Sequence, residues 1–333
     1  MQRLQFVLFG LYEAKRYIVD GRLPGLRAAL ILLDNAIEVT LDSWIEMDIA
    51  FDDMFEKILK SARELGIPDS HPEYFEIYKQ TFIKSNEKKK VNRFFDEKIR
   101  YVTDIKKKIT PSIGKVISHL HRYRNDAHHA ARIRTDTILT SAVILLELCC
   151  QLIELLKVST VYSSSEDYTW LEGSFNIKAH DLWSDEGMAE VLSQIRTGVS
   201  LSEIDQRNVL AENLRSRLKD LISNLDYISE NTRIALDRAA ALIASQKFIL
   251  SEINNTVPYY GVPPDLDKPA SLDQLELIKL VPERILAASN SVLAFEIYAS
   301  ADNMLDRLEF MVNRFVDAID RAIQLEIDIA RGK

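Results

Sequence analysis

Glycine and proline are too sparse in this chain for it to turn often: 10 Gly and 9 Pro are spread over 333 residues. These residues punctuate secondary structure, so their scarcity forces long elements, which favours helices over the short strands of a sandwich or barrel. Hydrophobic residues make up 47% and charged residues 28%, the balance of a globular protein rather than a disordered one. A chain of 333 residues is too long for one small core. The expectation is an all-α fold in two domains.

Residues 1 to about 21 read as a first helix, stopped near Gly21 and Pro24. Its apolar start lacks a small-residue cleavage site, so it is expected to be a folded helix and not a signal peptide. A second helix is expected over 26–49, with Leu30, Leu33, Ile37, Leu41 and Ile45 as its core face, and a third over 51–65, ended by Gly66 and Pro68. Asp34, Glu38 and Asp42 line up at i, i+4, i+8. That stripe reads first as a solvated face, with pairing to a basic region as the other arrangement. Thr110 followed by Pro111 marks a helix start. The run Ile138–Leu156 has the length of a membrane span, but Glu147, Gln151 and Glu154 form one polar stripe on it. It is expected to be a buried helix, with no membrane involved. Cys149 and Cys150 are the chain's two cysteines and are adjacent. Helical neighbours point apart and form no ordinary structural disulfide, so a reducing, cytoplasmic compartment is expected.

Net charge is −8, yet residues 79–134 hold 16 of the 42 Lys and Arg and only 5 of the 50 Asp and Glu. A basic block in an acidic protein is a candidate polyanion footprint, with Lys88, Lys89, Lys90, Lys106, Lys107 and Lys108 as candidate RNA-binding residues. Tyr74, Phe75, Tyr78, Phe82, Phe94 and Phe95 are interleaved with it. They could stack bases, but their spacing of three and four fits a core stripe better.

Four of the six histidines, His119, His121, His128 and His129, fall within eleven residues, together with Arg122 and Arg124. Histidine exchanges protons near neutral pH, and arginine holds phosphate through a fork of donors. RNA cleavage needs both: a base for the 2′-hydroxyl, an acid for the leaving 5′-oxygen and a cation for the phosphorane. The string Arg124-Asn125-Asp126-Ala127-His128-His129 resembles the signature of HEPN-domain ribonucleases, an Arg, four to six residues and a His, with Asn, Asp or His favoured after the Arg. The resemblance covers about residues 1–158. It implies a HEPN-like helical bundle, metal-independent RNA endonucleolysis without cofactor, and a site in the cleft of a homodimer. By position it implies Arg124 on the scissile phosphate, His129 as general base or acid, and Asn125 orienting one of them. Arg122, His128, Asp126 and His121 are supporting candidates. Family members commonly act as toxins of toxin–antitoxin or phage-defence systems, which implies a cognate antitoxin or defence-system partner. A non-catalytic RNA-binding or scaffolding protein with a degenerate domain of this kind is the alternative. A zinc site from the four histidines lacks matched Cys or carboxylate spacing, and no metal is expected.

In a regular helix Arg124 and His129 lie about 140° apart. Pairing them within one chain therefore predicts a helix break near 124–126. An unbroken helix shifts the arginine to Arg122, which shares a face with Asn125 and His129, unless a second subunit completes the site.

Residues 159–185 are irregular, Ser-rich and in places β-prone, and read as a boundary, with a small hairpin compatible but not required. Residues 186–333 read as a helical bundle or antiparallel coiled coil. Leu214, Leu218, Leu221, Leu225 and Ile228 keep a heptad rhythm, and the frame continues through Thr232, Ala235, Ala239, Leu242, Gln246, Ile249 and Ile253. Leu305, Leu308, Val312, Phe315, Ile319 and Ala322 repeat it. The seams leave open whether pairing is within the chain or with a second copy.

Overall fold

The computed structural model describes residues 2–67, 83, 85–129, 135–156, 169–178, 180–181, 184–199, 201–232, 236–255 and 266–331. Tyr74, Phe75, Tyr78 and Phe82 lie outside this set. Among the described residues there is no strand, and the fold is all-α. The chain divides into two compact units, Met1–Arg124 with Ser141–Ser200, and Asn125–Thr140 with Leu201–Lys333.

In the first unit α1 (Gln2–Asp20) packs along α2 (Leu23–Glu64). Leu4, Val7, Leu8, Leu11, Ala14 and Ile18 recur at three and four residues and are buried, as are Leu30, Leu33, Ile37, Leu41 and Ile45 of α2. Each such Leu or Ile contributes about 1.5–3 kcal/mol by leaving water. Gly21 takes φ +69°, the left-handed geometry that ends α1. Pro24 does not end a helix but sits in the first turn of α2, where its missing N–H costs nothing. The two helices expected over 26–49 and 51–65 are one helix of 42 residues. No Gly or Pro lies between Gly25 and Gly66 to stop it, and Gly66, at φ +77°, does.

Short helices α3 (Ser85–Val91) and α4 (Phe95–Arg100) follow, the latter running into a π-helix over Tyr101–Ile105. The next helix, α5 (Pro111–His129), starts as read: Thr110 Oγ1 accepts from the Ile113 amide at 3.3 Å and Pro111 is first in the helix. Gly114 lets α5 approach the preceding segment closely. A Cβ there would lie 2.6 Å from Thr103 Cγ2 and 3.0 Å from Ile99 Cγ2.

Helix α6 (Ile138–Leu156) is the one described helix long and apolar enough to cross a membrane, but 72% of its apolar window is buried in the protein. Its polar stripe is a docking strip. Arg196 of α8 (Asp185–Arg196) donates to Glu147 at 2.9 Å and to Glu154 at 2.6 Å, and Gln151 donates to Glu147 at 3.0 Å. These carboxylates hold the Arg196 guanidinium above its ordinary value, against the opposing effect of burial. Lys15 Nζ donates to the Gln194 carbonyl at 2.7 Å, and Val191, Leu192 and Ile195 are buried. Between them α7 (Thr169–Phe175) sets Trp170 edge-on to Phe9, Tyr12 and Phe175. The second unit therefore resumes at Leu201, later than the boundary read at 159–185, because α7 and α8 are anchored to α1 and α6.

In the second unit α9 (Glu203–Asn231), α10 (Arg238–Asn255) and α13 (Ser291–Ala330) pack together, with α11 (Leu272–Lys279) and α12 (Val281–Leu286) beside them. All five residues of the first heptad run, Leu214 to Ile228, are buried, as are Leu305, Leu308, Val312 and Ile319. The pairing is within the chain. The heptad frame expected to run through Thr232 crosses a break, since Thr232 is extended (φ −93°, ψ 145°) and the Asp237 side chain accepts from the Ala240 amide at the start of α10. Contacts between α9 and α13 advance together. Asn213 meets Tyr298, Arg217 meets Asp306 and Glu309, and Asn224 meets Asn313. The two long helices are parallel, not antiparallel. Arg238 at the start of α10 bonds Asp226 near the end of α9, while Arg207 near the start of α9 donates to the Ala288 carbonyl just before α13. The chain between α9 and α13 therefore turns back, and α13 sets out from the same end as α9. Gln246, a heptad position, spans that turn: its amide donates to the Leu266 and Lys268 carbonyls, and its carbonyl accepts from Ala270.

Candidate functional site

The acidic stripe of α2 is not a solvated face. It is the strip on which the basic block docks, carboxylate by carboxylate. Asp34 receives Arg124 and His121 of α5. Glu38 and Asp42 receive Lys98 of α4 at 3.4 and 2.7 Å. Asp48 accepts from Tyr101 Oη at 2.6 Å and pairs with Lys106 at 2.8 Å, which also reaches Asp52 at 3.1 Å. Lys88 pairs with Asp53. Lys98 and Asp52 are buried, as is Asp34, at 1% exposure. Burial keeps these pairs from the screening that weakens surface ion pairs. Burial and the Asp48 bond also push the Tyr101 phenol well above its ordinary value.

Of the candidate RNA-binding lysines, Lys88 and Lys106 are thus committed to carboxylates, while Lys89, Lys90, Lys107 and Lys108 are exposed. Lys107 adopts φ +52° just after the π-helix, and Lys108 Nζ lies 6.0 Å from the centre of the Trp44 ring.

The Asp34 cluster is the best-defined group of reactive side chains on α5. Arg124 donates to Asp34 Oδ2 through Nε at 2.7 Å and through Nη2 as well. His121 Nδ1 lies 2.9 Å from Oδ1 and 3.1 Å from Oδ2. The His121 ring stacks on Phe95, with centroids 3.9 Å apart and planes 8° apart. Both side chains remain partly exposed, 18% for His121 and 16% for Arg124. They sit three residues apart on one face of the helix. Chemically this is a fixed guanidinium beside an imidazole whose Nδ1 is engaged by a carboxylate.

The helix does not break near 124–126. It is continuous from Pro111 to His129. Arg124 closes the first segment of one unit and Asn125 opens the first segment of the other. Side chains of Asp126, His128 and His129 lie outside the described residues. Arg122 is exposed, with Nε 3.4 Å from the Ser118 carbonyl. The unbroken helix is the condition under which the expected arginine shifts to Arg122 unless a second subunit completes the site, while Arg124 is the arginine held by the buried carboxylate. His119 is buried, apart from the partly exposed His121.

Asp34 and Phe95 join the cluster from outside the His/Arg run. One signal points to Asp34: it falls between Leu33 and Ile37, at a core position of its own helix. An acid there requires a cationic partner from elsewhere in the chain. Compared with known protein families, curated proteins and solved structures, the chain matches none.

Proposed function

We propose that the protein is a metal-independent RNA endonuclease acting as a homodimer, with Arg124 on the scissile phosphate, His129 in proton transfer and Asn125 orienting one of them. The observation that carries this reading is the state of Arg124. Its Nε and Nη2 edge is tied to a buried carboxylate while the side chain stays partly exposed. A guanidinium fixed in this way keeps donors for a second anion and loses little side-chain entropy on binding it. The unbroken helix sets Arg124 and His129 about 140° apart, so the two act on one phosphate from different copies, which is why a dimer belongs to the proposal. The resemblance of residues 124–129 to the HEPN motif extends it to a toxin of a toxin–antitoxin or phage-defence system, working in the cytoplasm with a neutralising partner protein. Exposed Lys89, Lys90, Lys107 and Lys108 supply further contacts to the RNA backbone.

The test is incubation of purified protein with RNA in EDTA, beside Arg124→Ala and His129→Ala. Cleavage by the wild type and its loss in both variants is the expected result. A second reading, a non-catalytic RNA-binding or scaffolding protein, draws on the internal pairing of Lys88, Lys98 and Lys106. No cleavage, with salt-sensitive RNA binding retained, decides for it.

A further inference from the structure

We propose that His121 is the general base of this reaction and Asp34 its positioning residue, an inference that rests on the ribonuclease reading above. The argument starts from charge. Arg124 already neutralises buried Asp34 through two charge-assisted bonds, so the carboxylate does not require a histidine for its balance. His121 nevertheless gives its Nδ1 to both oxygens of that carboxylate, at 2.9 and 3.1 Å. The bond to a carboxylate places the proton on Nδ1 and leaves the lone pair on Nε2, the arrangement a base needs. Phe95 fixes the ring plane from one face at 3.9 Å. The imidazole is thus held at an edge and a face, and its side chain is still partly open to solvent. It stands one turn from Arg124 on the same side of an unbroken helix, where His129 of the same chain does not.

In the step this implies, His121 Nε2 takes the 2′-hydroxyl proton and the 2′-oxygen forms a bond to phosphorus while the bond from phosphorus to the 5′-oxygen breaks. The leaving 5′-oxygen takes its proton from His129 of a second copy. The products are a 2′,3′-cyclic phosphate and a 5′-hydroxyl, after which the imidazolium of His121 returns its proton to water and His129 takes one back from water. Arg124 holds the phosphate throughout.

The experiment is single-turnover cleavage of a short RNA in EDTA across pH 5 to 9, with the intact protein and its variants. His121→Ala is expected to slow cleavage by about 100-fold or more, to lose the acid limb of the pH–rate profile, and to regain activity with added imidazole. Asp34→Asn is expected to slow it by about 10–100-fold with little change in KM. Imidazole rescue and the pH profile are readouts that a merely structural histidine does not move. Where His121→Ala fails to fold, His121→Gln is read instead, since it fills the site, donates to Asp34 and accepts no proton. A wild type that cuts RNA, with a folded His121 variant cutting within about threefold of it, overturns the inference and leaves the ribonuclease reading standing. A wild type that cuts no RNA overturns both.

Discussion

Asp34 Oδ2 accepts the Nε–H of Arg124 at 2.7 Å across 90 positions of the chain, tying the middle of α2 to the histidine- and arginine-rich part of α5. Breaking a buried pair by removing one partner costs about 3–5 kcal/mol, whereas replacing both by apolar groups is often neutral. Asp34→Ala is expected near the low end, about 3 kcal/mol, because Arg124 and His121 still reach water. Asp34→Leu combined with Arg124→Leu is expected to recover most of that loss while removing any RNA cleavage. Urea denaturation measures both. A single-variant loss under about 1 kcal/mol would show that the pair adds nothing to the fold.

Gly114 offers a case where a favourable helix substitution turns unfavourable. In a free helix interior Ala is better than Gly by about 1 kcal/mol. Here the added Cβ meets Thr103 Cγ2 at 2.6 Å and Ile99 Cγ2 at 3.0 Å. Both neighbours are β-branched, with little rotamer freedom to yield. Gly114→Ala is therefore expected to destabilise by about 1–3 kcal/mol. Thr103→Ser removes the clashing methyl and keeps the hydroxyl that bonds the Ile99 carbonyl at 2.9 Å, so the double variant should regain stability. Thermal denaturation of the three variants decides it.

What could be read from the sequence divides along local and non-local lines. The helical class, the stops at Gly21 and Gly66 and the Thr110–Pro111 start depend on neighbours in the chain, and the structure has them. The merging of two expected helices into α2 is legible too, in the absence of any Gly or Pro from 26–65. The partners were not legible. That Asp34, Glu38 and Asp42 meet Arg124 and Lys98 depends on how segments 56 to 90 residues away fold back. The same holds for α9 and α13, whose heptads specify an apolar seam but no direction. Their parallel pairing depends on the break at Thr232 and on the return of the chain to the start of α9 before α13. At the candidate site the histidines and arginines are visible in one short run of sequence, whereas the carboxylate that bonds His121 and Arg124 lies on another helix.

Arg217 holds three carboxylates of α13: Asp302, fully buried, Asp306 at 2.7 Å and Glu309 at 2.8 Å. Burial lowers its guanidinium pKa, and Glu309 and Asp306 foremost raise it by more, so the net shift is upward. Arg217→Met keeps much of the apolar stem and removes the charge that the three acids share. The expected loss is about 3–5 kcal/mol, the cost of a buried pair broken on one side. Exchange of α9 and α13 amides should accelerate, while amides of α1 and α2 in the other unit change little. Equal acceleration in both units would show that the loss is not local to this seam.

Cys149 and Cys150 give the protein a pH dependence with a definite sign. Burial pushes the Cys150 thiol up to about 12 and raises Cys149 well above its ordinary value. The reactive species toward alkylating reagents is the thiolate, so neither thiol should label in the folded protein at pH 8, and labelling should follow unfolding by urea. The linkage runs in the same direction. A group whose pKa is raised by folding contributes stability that is full below its ordinary value, 9.0 for a thiol, and is lost as pH rises toward 12. Within that window each pH unit removes about 1.4 kcal/mol per thiol. Cys150→Ala deletes one such group, so the fall in stability between pH 9 and 10.5 should be shallower in the variant than in the wild type, whatever the lysines and tyrosines common to both contribute. Parallel slopes, or rapid labelling of Cys150 in the native protein, would mean that α6 opens to water far more readily than its burial implies.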